Sequence, residues 1–253
     1  EPDGMAASPS SQRPRKPLRI QTNLLAKSER RLLNWICSRL PNRVTPDLLT
    51  ALSLAGSIVT FCGYVWAREQ PGALFVASLG LFLYWFGDSL DGSLARHRCI
   101  ERPRYGYFLD HSVDALCNLF VMGGLGMSGY VNMDDALLAL IAYFMLGMHV
   151  FLSAYVTNEF RLSFLVVGPT ELRLALVILN TMMFATGPQP LGPWMPALSW
   201  YDLPIGFAAV VLLALFVSAT LRVAGRLRIE AAHDLSLREE RPAGANNVRA
   251  SGS

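Results

Sequence analysis

The chain has 253 residues, of which 52% are hydrophobic and only 16% are charged. Soluble domains carry about 25% charged residues, so this composition does not suit the surface of a water-soluble globule. It also excludes disorder over most of the length, because disordered chains are poor in apolar residues. The composition predicts a membrane protein, and the small net charge of +3 predicts no nucleic-acid partner.

The N-terminal region differs from the rest of the chain. Residues 1–22 are rich in Pro, Ser and Arg, which predicts a disordered basic tail. From 23 to 41, apolar residues recur at helical spacing among basic ones; they are Leu25, Leu32, Trp35, Ile36 and Leu40. This pattern predicts a cytoplasmic amphipathic helix at the membrane interface, with its basic face toward anionic lipid headgroups. An ordinary solvated helix packed on the bundle is the alternative.

Six apolar stretches approach the roughly 20 helical residues that a bilayer core requires. They cover residues 48–67, 73–95, 106–127, 136–156, 172–186 and 204–224. With six spans both termini share one side, and 21 of the 22 Lys and Arg residues then lie on that side. The positive-inside rule makes it the cytoplasmic side. We therefore expect an all-α integral membrane protein with six transmembrane helices in a domain at 42–228 and a cytoplasmic tail at 229–253.

Four aspartates stand at the end of the second predicted span and the start of the third: Asp88, Asp91, Asp110 and Asp114. Residues three or four apart share a helix face. The short link makes these helices antiparallel neighbours, so we expect the carboxylates to converge at the cytoplasmic boundary. Carboxylate oxygens suit Mg²⁺, and two bridged ions suit displacement at phosphorus. Interhelical ion pairs are the alternative, although acids within membranes are usually functional.

Small residues and arginines accompany these acids. Gly92 has no side chain, so a ligand can approach the backbone closely, and Ala95 and Gly106 keep the same wall shallow. Arg96 offers a planar cation suited to phosphate, with Arg98, Arg102 and Arg104 behind it. Acids for a metal, and metal plus arginine for a diphosphate, predict phosphoryl chemistry.

The pattern DxxDGxxAR, nine residues and then GxxxDxxxD resembles the signature of the CDP-alcohol phosphotransferase family. The resemblance implies transfer from a CDP-linked donor to an alcohol acceptor with release of CMP. It implies that Asp88, Asp91 and Asp110 hold Mg²⁺ or Mn²⁺, while Asp114 ligates metal or is the catalytic general base. The residues it places against the nucleotide are Asp88, Gly92, Ala95, Arg96 and Gly106. It also implies a homodimer, and we expect a bacterial inner membrane with the active site on the cytoplasmic side.

The acceptor is less well defined by the sequence. The segment from Gly168 to Glu171 resembles part of a segment of choline and ethanolamine phosphotransferases, with Leu172 replacing a final Gly. Glu171 suits a cationic head group, and Arg173 or Arg161 an anionic one. A charge pair between Glu171 and Arg173 at the helix start is the alternative.

Two donors fit the resemblance. In the leading prediction, CDP-diacylglycerol gives its phosphatidyl group to a small polar alcohol. In the other, CDP-choline or CDP-ethanolamine gives its phospho-head group to a diacylglycerol-like lipid. A cation transporter is disfavoured because the four acids cluster at one end of the membrane. An aspartate-rich prenyltransferase would leave the Asp-Gly-x-x-Ala-Arg element unexplained.

Overall fold

The computed structural model describes residues 26–157, 168–192 and 198–239. These residues form helices, connecting turns and one isolated β-bridge between Pro190 and Ser199. The helices of the described ranges are α1 (Ala26–Cys37), α2 (Pro46–Ala67), α3 (Ala73–His97), α4 (Pro103–Met127), α5 (Met133–Thr157), α6 (Pro169–Thr186) and α7 (Asp202–Glu239). The predicted basic tail at 1–22 lies outside the described residues.

Four helices are long and apolar enough to cross a membrane: α2, α3, α5 and the Asp202–His233 part of α7. Helix α4 is not among them, and its N-terminal half carries Asp110 and Asp114. Helix α6 is also not among them, because Glu171 and Arg173 near its start lower the mean hydropathy of its 18 residues. The described residues are therefore all-helical with four candidate spans, and the count of six stays a prediction.

Helix α7 extends beyond the boundary predicted at residue 228. It has 38 residues, which at 1.5 Å per residue correspond to about 57 Å. A bilayer core is only about 30 Å thick, so a large part of this helix lies beyond a single crossing.

Helices α2 and α3 pack backbone to backbone. A Cβ atom placed on Gly63 would lie 2.4 Å from the Ala77 nitrogen, and one on Gly80 would lie 2.4 Å from the Thr60 nitrogen. Thr60 also donates from its hydroxyl to the Ala77 carbonyl at 3.3 Å. Small residues that allow such close approach are characteristic of helix pairs in membranes. The packing of α3 on α2 fixes the position of the acidic C-terminal end of α3.

Helix α4 packs chiefly against α2 and α5, and it approaches α3 only to a small extent. A Cβ on Gly124 would lie 2.8 Å from the Cα atom of Phe61, which marks the tight contact between α4 and α2. The prediction that α3 and α4 are direct neighbours is therefore wrong for most of their length. They meet near their acidic ends, where Tyr84 of α3 donates to Asp114 of α4.

Helix α1 lies against α3. Leu33 and Cys37 are buried in a small apolar cluster with Leu49, Leu90 and Leu94. Trp35 faces outward with 55% of its surface exposed, and the Arg39 guanidinium stacks over its ring at 4.0 Å. The helix thus packs one face on the bundle, while the apolar ring of Trp35 faces away from the bundle.

Candidate functional site

Three of the four predicted acids come together. One carboxylate oxygen from each of Asp88, Asp110 and Asp114 lies within 4.8 Å of the others, and all three residues are partly buried. Asp110 and Asp114 share a face of α4 because they are one turn apart, and Asp88 reaches them from α3. We call these three residues the carboxylate cluster.

A buried arginine lies against the carboxylate cluster. Arg173 of α6 bonds through Nη1 to Oδ2 of Asp88 at 2.7 Å, and its side chain is only 10% exposed. Its guanidinium also stacks over the Tyr84 ring at 3.8 Å. The Tyr84 hydroxyl donates to Oδ1 of Asp114 at 3.1 Å. Arg173 and Tyr84 therefore connect two acids of the cluster and fix their orientation.

Asp91 takes a different position from the other acids. It is buried, and its Oδ2 accepts a hydrogen bond from the Thr50 hydroxyl at 2.7 Å. Its Oδ1 accepts from the backbone amide of Gly92. From Asp88 to Asp91 the helix turns by about 300°, so the two side chains point about 60° apart, and Asp91 is directed toward α2. Its role as a metal ligand stays a prediction.

A cavity of about 610 Å³ opens beside the carboxylate cluster. Its lining includes every residue of the motif that was predicted to contact the nucleotide except Asp88: Gly92, Ala95, Arg96 and Gly106. Asp91 and Asp110 also line it. Because Asp110 belongs to both the cavity and the cluster, a molecule in the cavity would lie directly beside the acids.

The two glycines of the cavity wall, Gly92 and Gly106, differ in what lies beside them. A Cβ on Gly92 would lie 3.3 Å from Nη1 of Arg96, so this glycine lets the guanidinium fold back over the helix. A Cβ on Gly106 would meet nothing within 4 Å. Arg96 itself is exposed and donates from Nη2 to the Ser93 hydroxyl at 3.2 Å. The Arg96 guanidinium thus lies at the cavity, where a phosphate can reach it.

The two arginines that follow Arg96 contact the segment around the start of α2. Arg98 donates to the backbone carbonyls of Leu40, Pro41 and Val44. Arg102 pairs with Asp47 at 2.5 Å, and Asp47 is in the first turn of α2. Arg98 is thus engaged away from the cavity, whereas Arg102 lines the cavity while it pairs with Asp47. Both arginines hold the segment that leads into α2, whose first turns line the cavity, and their part in phosphate binding stays a prediction.

The predicted acceptor residues separate in the structure. The Glu171 carboxylate accepts from the Gly168 backbone amide at 2.9 Å, which caps the start of α6. Arg173 pairs with Asp88, so the alternative of a Glu171–Arg173 pair is not what the described residues form. Arg161 lies outside the described residues.

Two residues that bond the predicted acids were not singled out from the sequence: Thr50 and Tyr84. Thr50 and Tyr84 bond Asp91 and Asp114 directly. Tyr84 lies four residues before Asp88, and this spacing was a usable signal because both side chains share one face of α3. The sequence offers no comparable signal for Thr50, which lies on another helix.

The donor set of the carboxylate cluster fits a divalent cation. Three carboxylates against the single guanidinium of Arg173 leave a local charge of about −2, and carboxylate oxygens are the ligands that hard divalent ions prefer. Partly buried acids of like charge require such compensation. The carboxylate cluster can thus hold a divalent metal ion.

Comparison with known proteins gives concordant matches. The chain is 31% identical over 168 residues to Cholinephosphotransferase 1 of Danio rerio, which covers 61% of this chain and 42% of that protein. It is 29% identical over 154 residues to Cholinephosphotransferase 1 of Homo sapiens, covering 57% and 37% of the two chains. It is 29% identical over 104 residues to archaetidylinositol phosphate synthase of Pyrococcus horikoshii, covering 41% and 52%. The chain thus spans less than half the length of the cholinephosphotransferases it matches.

The family comparison covers the whole candidate site. The model of the CDP-alcohol phosphatidyltransferase family matches residues 43–224. This range includes the carboxylate cluster, the cavity and the buried arginine of α6, and it accounts for most of the chain. With that match added to the motif and to the geometry that the motif residues adopt, the chain belongs to the CDP-alcohol phosphatidyltransferase family.

Proposed function

We propose that this protein is a metal-dependent CDP-alcohol phosphotransferase of phospholipid biosynthesis. The observation that carries the proposal is the junction of the carboxylate cluster with the cavity at Asp110. A cavity with an arginine and a shallow glycine wall suits the diphosphate of a CDP-linked donor. A cluster of acids at its edge suits the phosphorus at which the transfer takes place.

The reaction requires one proton transfer and one exchange at phosphorus. The acceptor hydroxyl forms a bond to the phosphorus that bears the transferred group, and the bond from that phosphorus to the oxygen of CMP breaks. The hydroxyl proton passes to a carboxylate, for which Asp114 is our candidate. Tyr84 orients that carboxyl group through its 3.1 Å hydrogen bond.

Other residues bind and orient the donor. Arg96 neutralises phosphate charge at the cavity, and Gly92 and Gly106 admit the donor close to the backbone. Asp88, Asp110 and Asp114, with Asp91 beside them, would hold Mg²⁺ or Mn²⁺, in our proposal two ions. When bound, these ions stabilise the negative charge that develops on the transferred phosphoryl group and on CMP.

We favour CDP-diacylglycerol as the donor and a small polar alcohol as the acceptor. The charge that lies against the carboxylate cluster is the cation of Arg173. In our proposal this guanidinium, which is held at the site by Asp88, is the group that suits a neutral or anionic acceptor. The transferred group would then be phosphatidyl.

Head-group transfer from a CDP-alcohol to a diacylglycerol-like lipid is the second candidate. It is supported by the relatives named cholinephosphotransferase and by the segment from Gly168 to Glu171. A cation transporter gains no support from the geometry, because the acids gather beside one cavity instead of along a pathway.

The remaining parts of the proposal concern placement in the cell. We propose that α4 and α6 join the four candidate spans to give six transmembrane helices in a catalytic domain at 42–228. Helix α1 would lie at the cytoplasmic interface with Trp35 toward lipid. Both termini and the site would be cytoplasmic, in a bacterial inner membrane, and the protein would form a homodimer as the family resemblance implies. Cysteine accessibility in oriented vesicles and light scattering of the purified protein test these points.

The test of activity is CMP release by the purified protein from CDP-diacylglycerol and from CDP-choline. Each donor is combined with a panel of alcohols and lipids, with Mg²⁺ present and then chelated. We expect CMP only in the presence of metal, and with CDP-diacylglycerol as the productive donor. Turnover only from CDP-choline would replace our donor with the second candidate. Absence of CMP from every pair would contradict the proposed function.

The variant Asp114→Asn tests the proposed base. It keeps the size of the side chain and removes its capacity to accept the proton. We expect loss of turnover with retained binding of the CDP-linked donor. Retained turnover would contradict the assignment.

A further inference from the structure

A single carboxylate joins three helices next to the carboxylate cluster. Oε1 of Glu29 on α1 accepts hydrogen bonds from Thr170 Oγ1 at 2.8 Å, from Trp85 Nε1 at 3.1 Å and from Ser89 Oγ at 3.4 Å. Two of these donors belong to α3 and one belongs to α6. Glu29 is only partly exposed, so water competes weakly for these bonds.

The three donors flank the ion pair between Arg173 and Asp88. Trp85 and Ser89 stand on either side of Asp88 along α3, and Thr170 precedes Arg173 by three residues on α6. A spacing of three places Thr170 and Arg173 on the same side of α6, about one turn apart. The Glu29 carboxylate therefore joins α3 and α6 at the level where Arg173 reaches Asp88.

The C-terminal part of α6 is held on α3 by the hydrogen bond from Asn180 to Ser78 at 3.0 Å and by the contact between the Phe184 and Phe75 rings. These contacts lie two or more turns beyond Arg173, and the helix begins at Pro169 after Gly168. Because Arg173 is in the second turn, a shift of this helix end relative to α3 moves its guanidinium directly. Misplacement of a catalytic group by about 1 Å can lower a rate by about 100-fold.

We propose that Glu29 is a positioning residue that sets α6 against α3 so that Arg173 engages Asp88. This role rests on the proposed phosphotransfer, because the ion pair orients an acid of that site. Helix α1 is thereby part of the active-site structure, in addition to the place at the membrane interface that we propose for it. All three donors are neutral N–H or O–H groups, so the role requires an acceptor oxygen and not a negative charge.

Two variants of Glu29 separate the need for an acceptor oxygen from the need for a negative charge. Glu29→Gln keeps an acceptor oxygen at nearly the same position, whereas Glu29→Ala removes it. We expect Glu29→Ala to lower kcat for CMP release by about 10- to 100-fold with little change in KM for the CDP-linked donor. We expect Glu29→Gln to keep most of the wild-type rate. Asn34→Ala, an exposed polar residue of the same helix, is the control and should match the wild type.

A double-mutant comparison tests whether Glu29 acts through Arg173. If it does, Glu29→Ala adds no further loss of kcat to Arg173→Met, because the interaction that it supports is already absent. Thr170→Val, which removes only the bond to α6, should follow Glu29→Ala in direction. Thermal unfolding of each variant identifies any that fail to fold, and Glu29→Gln and Thr170→Val keep the test decisive in that case.

Three results would overturn the proposal: equal rates in Glu29→Ala and wild type, equal losses in Glu29→Gln and Glu29→Ala, or independent losses in the double variant. If the wild-type protein releases no CMP, the proposed function fails. The affinity for Mn²⁺ of the same variants then decides the positioning role. Non-additive changes in Mn²⁺ affinity support the role, and additive changes refute it.

Discussion

Replacement of Arg173 by Met should destabilise the protein strongly when no divalent metal is present. The Arg173 side chain is 10% exposed and that of Asp88 is 18% exposed, with 2.7 Å between Nη1 and Oδ2. Methionine keeps much of the length of arginine and removes the charge. It thereby leaves Asp88 beside Asp110 and Asp114 without its cationic partner. Removal of one partner from a buried ion pair costs about 3–5 kcal/mol.

This free energy corresponds to a readily measured shift in melting temperature. For a protein of 150–250 residues, 1 kcal/mol shifts the melting temperature by about 2–4 °C, so the expected loss is about 6–20 °C. The protein has five tryptophans, and their fluorescence in detergent reports unfolding in the presence of a chelator. Arg226→Met is the matched control, because Arg226 pairs with Glu230 on an exposed surface of α7 with 55% and 53% of the side chains accessible. Such exposed helical pairs contribute about 0.3–0.5 kcal/mol.

Divalent metal should restore much of the lost stability. A cation bound to the carboxylate cluster compensates the same charges that Arg173 compensates in its absence. We therefore expect Mg²⁺ to raise the melting temperature of Arg173→Met more than that of the wild type. If Arg173→Met melts like Arg226→Met, the buried pair carries no stability. An equal response to Mg²⁺ in variant and wild type would show that arginine and metal do not compensate the same acids.

Three further changes have defined outcomes. Gly63→Ala should destabilise the protein by about 1–3 kcal/mol through overpacking, since the new Cβ would lie 2.4 Å from the Ala77 nitrogen. Gly123→Ala is the control, because a Cβ there would meet nothing within 4 Å. Thermal unfolding of the two variants distinguishes them. Thr50→Val leaves Oδ2 of the buried Asp91 without its hydroxyl donor, while Oδ1 keeps the Gly92 amide. The variant should lose about 1–3 kcal/mol of stability, and Thr50→Ser should restore it. Arg98→Met releases three carbonyls of the segment before α2 and should raise KM for the CDP-linked donor, whereas an unchanged KM would contradict that support.

Local spacing predicted the parts of the site that lie on one helix. Asp110 and Asp114 are one helical turn apart, so their shared face follows from the sequence. Gly92 and Arg96, which the family resemblance placed against the nucleotide, line the cavity, and their contact with a nucleotide stays a prediction. The length of the apolar runs and their few charges predicted the all-helical class. In α4 and α6 the charged residues of the site interrupt the apolar runs. Length and composition therefore do not identify these two helices as membrane spans.

The remaining features of the site depend on contacts between distant parts of the chain. Arg173 pairs with Asp88 across 85 positions, and Thr50 bonds Asp91 across 41 positions. Neither contact follows from helical spacing, which relates only residues on one helix. Asp91 was grouped with the other acids because a spacing of three permits a shared face. The rotation of about 60° between Asp88 and Asp91 was enough for tertiary packing to direct them to different neighbours.

The most direct test of the account combines Mn²⁺ binding and turnover in the same samples. Free Mn²⁺ is measured by electron paramagnetic resonance during titration of purified wild-type protein and of Asp110→Asn, and CMP release is measured alongside. Asp110 is the residue shared by the carboxylate cluster and the cavity. We predict saturable Mn²⁺ binding and CMP release in the wild type, and a joint loss of both in a folded Asp110→Asn variant. Full turnover in chelator, or unchanged Mn²⁺ binding in the variant, would contradict the account.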